Sequence, residues 1–270
     1  MYGLSVHGLL VLYALSLLFY FSDFVSSNRK MKRMGTGLLV FVWVLQTGYL
    51  IYRLLQLDNP AGLTRFETLF FFVWLLVTIS LAASRLVRIE PFVFAVNVVG
   101  FSVLATVAAE GPSAAPLRLW DAAQYLLIVH ISLALAAYAL FTAGAVLSLM
   151  YLLLHRQLKR RSWNAVVRRM PSLETIDRYA YGAVLAGTPL LILSLAVAAA
   201  TLLAAHRAEW LADWKVIAAL VAAIVYIIYI AKRKRRMDPG LLTARWNLYA
   251  FGVLLANSLI GAASRFHSWS

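Results

Sequence analysis

Eight long stretches of the chain contain no Asp, Glu, Lys or Arg and consist mainly of apolar residues. They cover residues 1–22, 34–52, 68–84, 91–109, 122–154, 179–206, 216–231 and 246–264. A helix needs about 20 apolar residues to cross roughly 30 Å of hydrocarbon. The pattern therefore predicts an all-α integral membrane protein, a bundle of eight transmembrane helices. The seventh stretch is short, and we expect Trp214 or the flanking Lys215 and Lys232 to complete that span.

The composition agrees with a membrane protein that crosses the bilayer many times. Hydrophobic residues make up 63% of the chain and charged residues 13%, and the mean hydropathy is +0.80. These values lie outside the range of ordinary soluble domains. We expect one membrane domain over 1–270, with four N-terminal spans in 1–110 and four more in 111–270. The first span should be retained rather than cleaved, because the basic cluster follows it. The absence of cysteine excludes disulfides and thiolate metal sites.

The basic residues predict the orientation in the membrane. The connections after spans one, three, five and seven carry 19 of the 25 Lys and Arg residues, and the opposite side carries six. Connections rich in Lys and Arg stay in the cytoplasm, so both termini should lie outside a bacterial cytoplasmic membrane. The net charge of +14 then follows from topology, and we expect the lipid bilayer rather than nucleic acid as the partner of these charges.

This orientation places four of the five histidines at the outer membrane edge, on four different spans: His7, His130, His206 and His267. The fifth, His155, lies in the basic stretch "HRQLKRR", where we expect a solvated cytoplasmic loop. Histidine occurs at this depth as an interfacial side chain with no further role. It is also the commonest metal ligand at neutral pH, and four histidines on one side favour a binding site.

Several kinds of ligand are compatible with outer histidines. A hard ion would need carboxylates, which are scattered over several outer loops, and zinc or copper would need several imidazoles around one ion. Haem needs only two axial histidines and a broad apolar slot. Outer aromatic residues would supply that slot, although an interfacial aromatic belt explains them equally well. They are Trp120, Trp210, Trp214, Phe266 and Trp269.

Other polar residues add candidates. An outer arginine would pair with an anionic haem propionate; the candidates are Arg53, Arg118, Arg207 and Arg265. Arg53 ends the second span and Glu67 begins the third, which predicts either a partly buried pair that borders a site or two snorkelling side chains. Within the spans, Asn97 and Asn257 predict interhelical hydrogen bonds, and Pro189 predicts a kink.

Several segments resemble the cytochrome c assembly family of haem-handling membrane proteins. They are "VHISLALAAYALFTAGAVLSLMYLLLHRQLKRR", "RMPSLETIDRYAYGAVLAGTPLLILSL" and "ARWNLYAFGVLLANSLIGAASRFHSW". The N-terminal half is similar to the HemX-type branch of that family, through "LYALSLLFYFSDF", "VWVLQTGYLIYR" and "RFETLFFFVW". The order and spacing of these segments extend the resemblance over nearly the whole chain. It implies an eight-span protein linked to haem biosynthesis in Gram-positive bacteria.

The resemblance also implies which residues hold a cofactor. The family binds haem through two outward histidines that flank a Trp-rich loop, and these match His130 and His267, the implied axial ligands of a non-covalent haem b. The loop matches "HRAEWLADWKV", with Trp210 and Trp214, but the full Trp–Gly repeat that ends in Trp-Asp-Pro-Lys is absent. From its position at the outer end of a span, each of His7 and His206 is expected to contribute to a second axial pair.

The departure in the Trp-rich loop argues against presentation of haem to apocytochrome c. HemX-type members are associated with control of the abundance of glutamyl-tRNA reductase. The resemblance thus implies haem handling, cytochrome c assembly or control of haem biosynthesis. The implied partners are a cytoplasmic haem-biosynthesis enzyme or other assembly components. The stretch 155–178 offers the largest surface for them, although ordinary positive-inside charge explains its seven basic residues without a partner. A haem-containing membrane oxidoreductase and a transporter or scaffold stay open as alternatives, although no catalytic constellation indicates an enzyme.

Overall fold

The computed structural model describes residues 2–26, 29–55, 64–86, 90–110, 124–161, 167, 169–204, 214–236 and 240–260. These residues form eight long helices: α1 (Tyr2–Ser26), α2 (Arg29–Leu55), α3 (Arg65–Leu86), α4 (Glu90–Glu110), α5 (Gln124–Lys159), α6 (Leu173–Ala204), α7 (Trp214–Arg236) and α8 (Gly240–Ile260). The chain divides into two compact units. Unit 1 comprises Met1–Pro116 and Asn164–Pro171, and unit 2 comprises Leu117–Trp163 and Ser172–Ser270.

Each predicted apolar stretch overlaps one helix, and the part of the chain that the structure describes has no strand, which confirms the all-α prediction. Helices α1 to α7 are long and apolar enough to cross a membrane. In α8, the polar side chains of Arg245, Asn247 and Tyr249 lie in the first half of the helix. Its membrane crossing, and with it the count of eight, stays a prediction. As expected for the short seventh stretch, α7 begins at Trp214.

Unit 1 is a closed ring of four helices, in which α1 to α4 pack in sequence order and α4 packs on α1. One polar network crosses its apolar core. The Tyr13 hydroxyl donates to Asn97 Oδ1 at 2.8 Å, and Asn97 Nδ2 donates to Ser80 Oγ at 2.8 Å. All three side chains are fully buried, so the network satisfies them and joins α1, α3 and α4. The predicted interhelical role of Asn97 is confirmed, while the side chain of Asn257 lies outside the described residues.

Helices α2 and α3 carry nearly the same hexapeptide, VWVLQT at 42–47 and VWLLVT at 73–78. The Trp43 indole donates to Thr78 Oγ1 at 2.8 Å, and the Trp74 indole donates to Thr47 Oγ1 at 2.9 Å. The two indoles stack with ring centroids 6.4 Å apart. Each threonine hydroxyl donates in turn to the main-chain carbonyl of the tryptophan on its own helix. We call these four residues the Trp–Thr lock, since each helix satisfies the indole of the other.

Unit 2 is built on the long contact between α5 and α6, with α7 packed on α6 and α8 packed on α5 and α7. Phe141 of α5 stacks on Tyr226 of α7 with ring centroids 3.9 Å apart. The same Phe141 ring lies against Gly187 of α6, where an added Cβ would be 2.9 Å from a ring carbon. Glycine at 187 therefore lets three helices approach one another. Pro189 lies within α6, which continues as a helix on both sides of it.

Replacing Gly187 by Ala is expected to destabilise the protein by about 1–3 kcal/mol, the usual result of forcing extra volume into a packed core. The ring of Phe141 cannot move away freely because Tyr226 covers its other face. Thermal unfolding in detergent micelles measures the change. Gly182→Ala on the same helix is the control, because a Cβ there meets nothing within 4 Å. Equal melting temperatures for the two variants would contradict the expected clash.

The stretch 155–178 contains less loop than expected. Helix α5 continues through His155, whose ring stacks on Tyr151 with centroids 6.2 Å apart. The prediction of a loop histidine is wrong, because the helix extends beyond the apolar run. Within unit 1, Arg169 donates to the main-chain oxygen of Asp23 at 2.8 Å, and its guanidinium lies 3.8 Å from the Asp23 carboxylate. Part of the predicted partner surface is therefore engaged with the end of α1.

Candidate functional site

His130 lies near the start of α5 and is half-buried. Its Nδ1 is 2.8 Å from the main-chain oxygen of Ser194 on α6 and 2.9 Å from the Ser194 hydroxyl. That hydroxyl donates to the main-chain oxygen of His130 at 3.0 Å. Ser194 is almost fully buried, with 1% of its surface exposed. The imidazole is thus attached on one edge to the neighbouring helix by both the main chain and the side chain of a single residue.

These contacts determine which ring nitrogen carries the proton. A carbonyl oxygen only accepts, so Nδ1 of His130 must donate. The Ser194 hydroxyl already donates to a carbonyl, so its oxygen is an acceptor for the same N–H. In the neutral ring the lone pair is therefore on Nε2. A metal-ligating histidine commonly donates its other ring N–H to a main-chain carbonyl, which fixes its tautomer and orientation. Nδ1 of His130 makes a contact of this kind with the main-chain carbonyl of Ser194.

The register between α5 and α8 bears on the position of the C-terminal segment. Gly240 of α8 lies against the Tyr151 ring, and the Asn247 amide lies 3.4 Å from the position of a Cβ on Gly144. Between these two contacts, each helix advances by seven residues in opposite directions, so the helices are antiparallel. Continuing the same register places Ile260, at the end of α8, level with Ile131. The chain therefore leaves α8 beside the turn of α5 that carries His130.

The structure describes only some of the other predicted ligands and aromatic residues. His7 lies on α1 in unit 1, where its side chain is exposed. Trp214 begins α7, but its side chain lies outside the described residues. Several predicted site residues fall wholly outside the described part of the chain: His206, His267, Trp120, Trp210, Phe266, Trp269, Arg118, Arg207 and Arg265. Of the predicted site residues, the structure brings together Arg53 and Glu67.

Arg53 of α2 and Glu67 of α3 form an ion pair through Nη2 and Oε1, with side chains 27% and 4% exposed. The second carboxylate oxygen, Oε2, accepts the main-chain N–H of Thr64 at 2.9 Å, while the Thr64 hydroxyl accepts the N–H of Glu67 at 3.3 Å. This reciprocal capping box begins α3. The predicted partly buried pair is present, and Glu67 also has a structural role that the sequence analysis missed. A contact of this pair with haem stays a prediction.

A second group of polar residues joins three helices where α6 begins, α7 ends and α8 begins. Arg233 donates two hydrogen bonds to the Asp177 carboxylate, at 2.8 and 2.5 Å, and a third to Thr243 Oγ1 at 3.2 Å. The guanidinium also lies 4.5 Å from the centre of the Tyr181 ring. Both charged side chains are less than one-fifth exposed. This two-point contact is the strongest geometry available to an arginine and a carboxylate, and the sequence analysis missed it.

Among the residues that the structure describes, no three His, Cys, Asp or Glu side chains lie close enough together to hold a metal ion. The described chain therefore has no centre with three or four protein ligands of the kind that binds zinc. A centre that uses two histidines on opposite sides of a haem is a different arrangement, and one of its proposed ligands, His267, lies outside the described residues.

The family is decided by comparison with known proteins. The Cytochrome C assembly protein family matches residues 62–261, which is more than half of the chain. The chain belongs to the cytochrome c assembly protein family. Helices α3 to α8 lie in the matched region, whereas α1 and α2 precede it. His130 and Ser194 are therefore both part of the family region.

Two relatives align along almost the entire chain. It is 38% identical over 260 residues to Protein HemX of Brevibacillus brevis, covering 96% of this chain and 95% of the relative. It is 35% identical over 270 residues to Protein HemX of Bacillus subtilis (strain 168), covering 97% and 96%. These matches confirm the HemX-type prediction. No solved structure matches the chain.

Membership in the cytochrome c assembly protein family gives this multi-pass membrane protein a haem-related function. The family is not a typical family of catalytic enzymes. This coarse function agrees with the haem-handling prediction from the sequence. Which residues bind haem, and what the protein does with it, are proposals.

Proposed function

We propose that the protein binds haem at its outer face and takes part in haem handling or in the control of haem biosynthesis. The observation that carries the proposal is the contact of His130 Nδ1 with Ser194, because it prepares Nε2 for a metal. Family membership makes haem the appropriate metal centre. The register that places Ile260 level with Ile131 supports a second ligand from the C-terminal segment.

His130 and His267 are the proposed axial ligands of a non-covalent haem b. Bound haem would supply an iron that takes one imidazole on each face. The chain's own contribution is to orient the His130 ring, to fix its tautomer through Ser194, and to raise the basicity of the ligating nitrogen. Ile260 lies level with Ile131 in the register of α8 against α5, and His267 follows Ile260 by seven residues in the sequence.

Further residues have proposed roles in haem binding. His7 and His206 are each proposed to contribute to a second axial pair. Trp120, Trp210 and Trp214 are proposed to contact a porphyrin, and Arg53, which pairs with Glu67, is proposed to pair with a haem propionate. The proposed cytoplasmic partner is a haem-biosynthesis enzyme or another assembly component, whose contact surface would be the exposed basic residues at the end of α5. These are Arg156, Lys159, Arg160 and Arg161.

The proposed orientation has both termini outside the cell, as the uneven distribution of basic residues indicates. Alkaline phosphatase fused after Ser270 is expected to be active, and a green fluorescent protein fused there is expected to be dark. The same reporters inserted after Arg161 should give the reverse pattern. A fluorescent C-terminal fusion would contradict the outer location of His267 and thus its pairing with His130.

The absorption spectrum of the purified full-length protein tests the function directly. The protein as isolated is expected to show a Soret band. After reduction we expect sharp, split visible bands, because two imidazoles produce six-coordinate low-spin iron. Acid–acetone should extract the haem, since the chain contains no cysteine for covalent attachment. Protein that is purified without haem, and that shows no spectral change on titration with hemin, would overturn the proposal.

A further inference from the structure

One surface of unit 2 combines exposed cations with an exposed apolar stripe. Lys232 of α7 places its Nζ 4.5 Å from the centre of the Trp246 ring on α8. On α8, Trp246 is 42% exposed and Tyr249 is 70% exposed. Leu242 and Arg245, on the same helix, are also exposed. We call Lys232, Leu242, Arg245, Trp246 and Tyr249 the α7–α8 face.

The spacing of these residues places them on one side of α8. Arg245 and Trp246 come three and four residues after Leu242, and Tyr249 comes four and three residues after them, so all four share one face of the helix. The exposed Val253 continues the stripe by one more turn. In a multi-pass membrane protein, an apolar stripe left uncovered by its own helices faces lipid. An acyl chain is therefore the natural neighbour of Tyr249 and Val253.

The two cations lie about one turn inside the helix ends, since Lys232 comes four residues before the end of α7 at Arg236. Arg245 comes five residues after Gly240, the start of α8, or about 7–8 Å along the axis. The cation–π contact holds the ammonium of Lys232 at the level of Trp246, about one turn further into α8 than Leu242. Two cations at the boundary between headgroups and hydrocarbon attract an anionic headgroup, at roughly 1 kcal/mol for each basic residue.

The neighbouring charges leave this attraction in place. The adjacent Arg233 is already neutralised by Asp177, so it neither repels Lys232 strongly nor competes for the headgroup. The residues 232–245 contain Lys232, Arg233, Lys234, Arg235, Arg236 and Arg245, against one acid, Asp238, which lies outside the described residues. Charge complementarity therefore favours an anionic over a zwitterionic lipid.

We propose that the α7–α8 face is a binding site for one anionic phospholipid. Lys232 and Arg245 bind its phosphate, Trp246 lies at the level of the glycerol backbone, and an acyl chain follows Tyr249 and Val253. This site is separate from His130 and does not depend on the proposed haem function.

Quenching of Trp246 by brominated lipids tests the site. The full-length protein is reconstituted in phosphatidylcholine that contains either brominated phosphatidylglycerol or brominated phosphatidylcholine at the same mole fraction. The Trp246 signal is the difference between wild type and Trp246→Phe. We expect phosphatidylglycerol to bind about fivefold more tightly than phosphatidylcholine, or more, as one to two interfacial cations imply. Lys232→Gln and Arg245→Gln should each remove much of that preference, and Lys232→Arg should keep it.

Lys234→Gln is the matched control. Lys234 is exposed on the same helix but lies roughly 200° around it from Lys232, so its removal should leave the preference unchanged. Equal quenching by the two lipids would overturn the proposal. So would an equal loss of preference in Lys232→Gln and Lys234→Gln, which indicates diffuse attraction rather than a site. Failure of both brominated lipids to quench Trp246 would also overturn the proposal, because lipid would then not contact this face.

Discussion

A His130→Ala variant is expected to bind less than one-tenth of the wild-type amount of haem, or to give a five-coordinate spectrum with a shifted Soret band. The reason is that the variant removes one of two proposed iron–imidazole bonds, together with the side chain that Ser194 orients. Exogenous imidazole should restore the six-coordinate bands in part, because it replaces the missing ligand without the main chain. Pyridine haemochrome analysis of the purified variant gives the haem content.

Two variants separate ligation from structural damage. His155→Ala removes a histidine from the same helix, where its ring stacks on Tyr151. Because His155 is not a proposed ligand, we expect this variant to have a wild-type spectrum. Ser194→Ala keeps the carbonyl acceptor of Nδ1 but loses the hydroxyl contact, so haem should stay bound with a higher reduction potential, since a less basic imidazole stabilises the ferric iron less. Wild-type haem content and an unaltered reduced spectrum in His130→Ala would exclude His130 as a ligand. The same outcome for His267→Ala would exclude His267.

Asp177→Asn is expected to lower the free energy of unfolding by about 3 kcal/mol, the lower end of the range for leaving one partner of a buried ion pair uncompensated. The lower end applies because the two side chains are 18% and 19% exposed. The substitution keeps the shape of Asp177 but leaves the charge of Arg233 without its partner among three packed helices. On the scale of soluble proteins, this corresponds to a fall in melting temperature of roughly 6–12 °C, measurable by thermal denaturation in detergent.

The chain offers a close control for this prediction. Glu174 and Arg178, also on α6, form an ion pair one turn apart whose side chains are 82% and 73% exposed. Glu174→Gln should change stability by no more than about 0.5 kcal/mol, as is usual for exposed helix pairs. The double variant Asp177→Leu with Arg233→Met should recover much of the loss, because apolar side chains can replace a buried pair. If Asp177→Asn and Glu174→Gln have the same melting temperature, the contact of Asp177 with Arg233 does not stabilise the junction of the three helices.

The helices could be predicted from the sequence because the length of an apolar run has a direct physical meaning in a membrane. Residues 91–109 had to cross the bilayer as a helix, and α4 differs from that range by one residue at each end. The prediction was less accurate for the end of the fifth helix, because a helix often continues into water through basic residues such as Arg156. That is why His155 was assigned to a loop, although α5 includes it.

Contacts between helices could be predicted only where a local signature exists. The sequence T-R-F-E at 64–67 is a capping-box signature, so the second role of Glu67 was accessible. Ser194 and His130 are 64 positions apart, and their contact depends on the rotation of α5 against α6, which hydrophobicity does not determine. In the sequence, Arg233 is one of several basic residues of a cytoplasmic connection. Its contact with Asp177 depends on how the helices pack, so the sequence did not reveal it.

The Trp–Thr lock has a consequence for the ancestry of the chain. The family region begins at residue 62, so the lock joins a helix outside that region to one within it. Deleting α1 and α2 would leave the Trp74 indole and the Asn97 carbonyl facing lipid without Thr47 and Tyr13. An unmet polar group in hydrocarbon costs several kcal/mol. The two leading helices are therefore not a detachable extension, and recombination among relatives must transfer all four helices of unit 1 together.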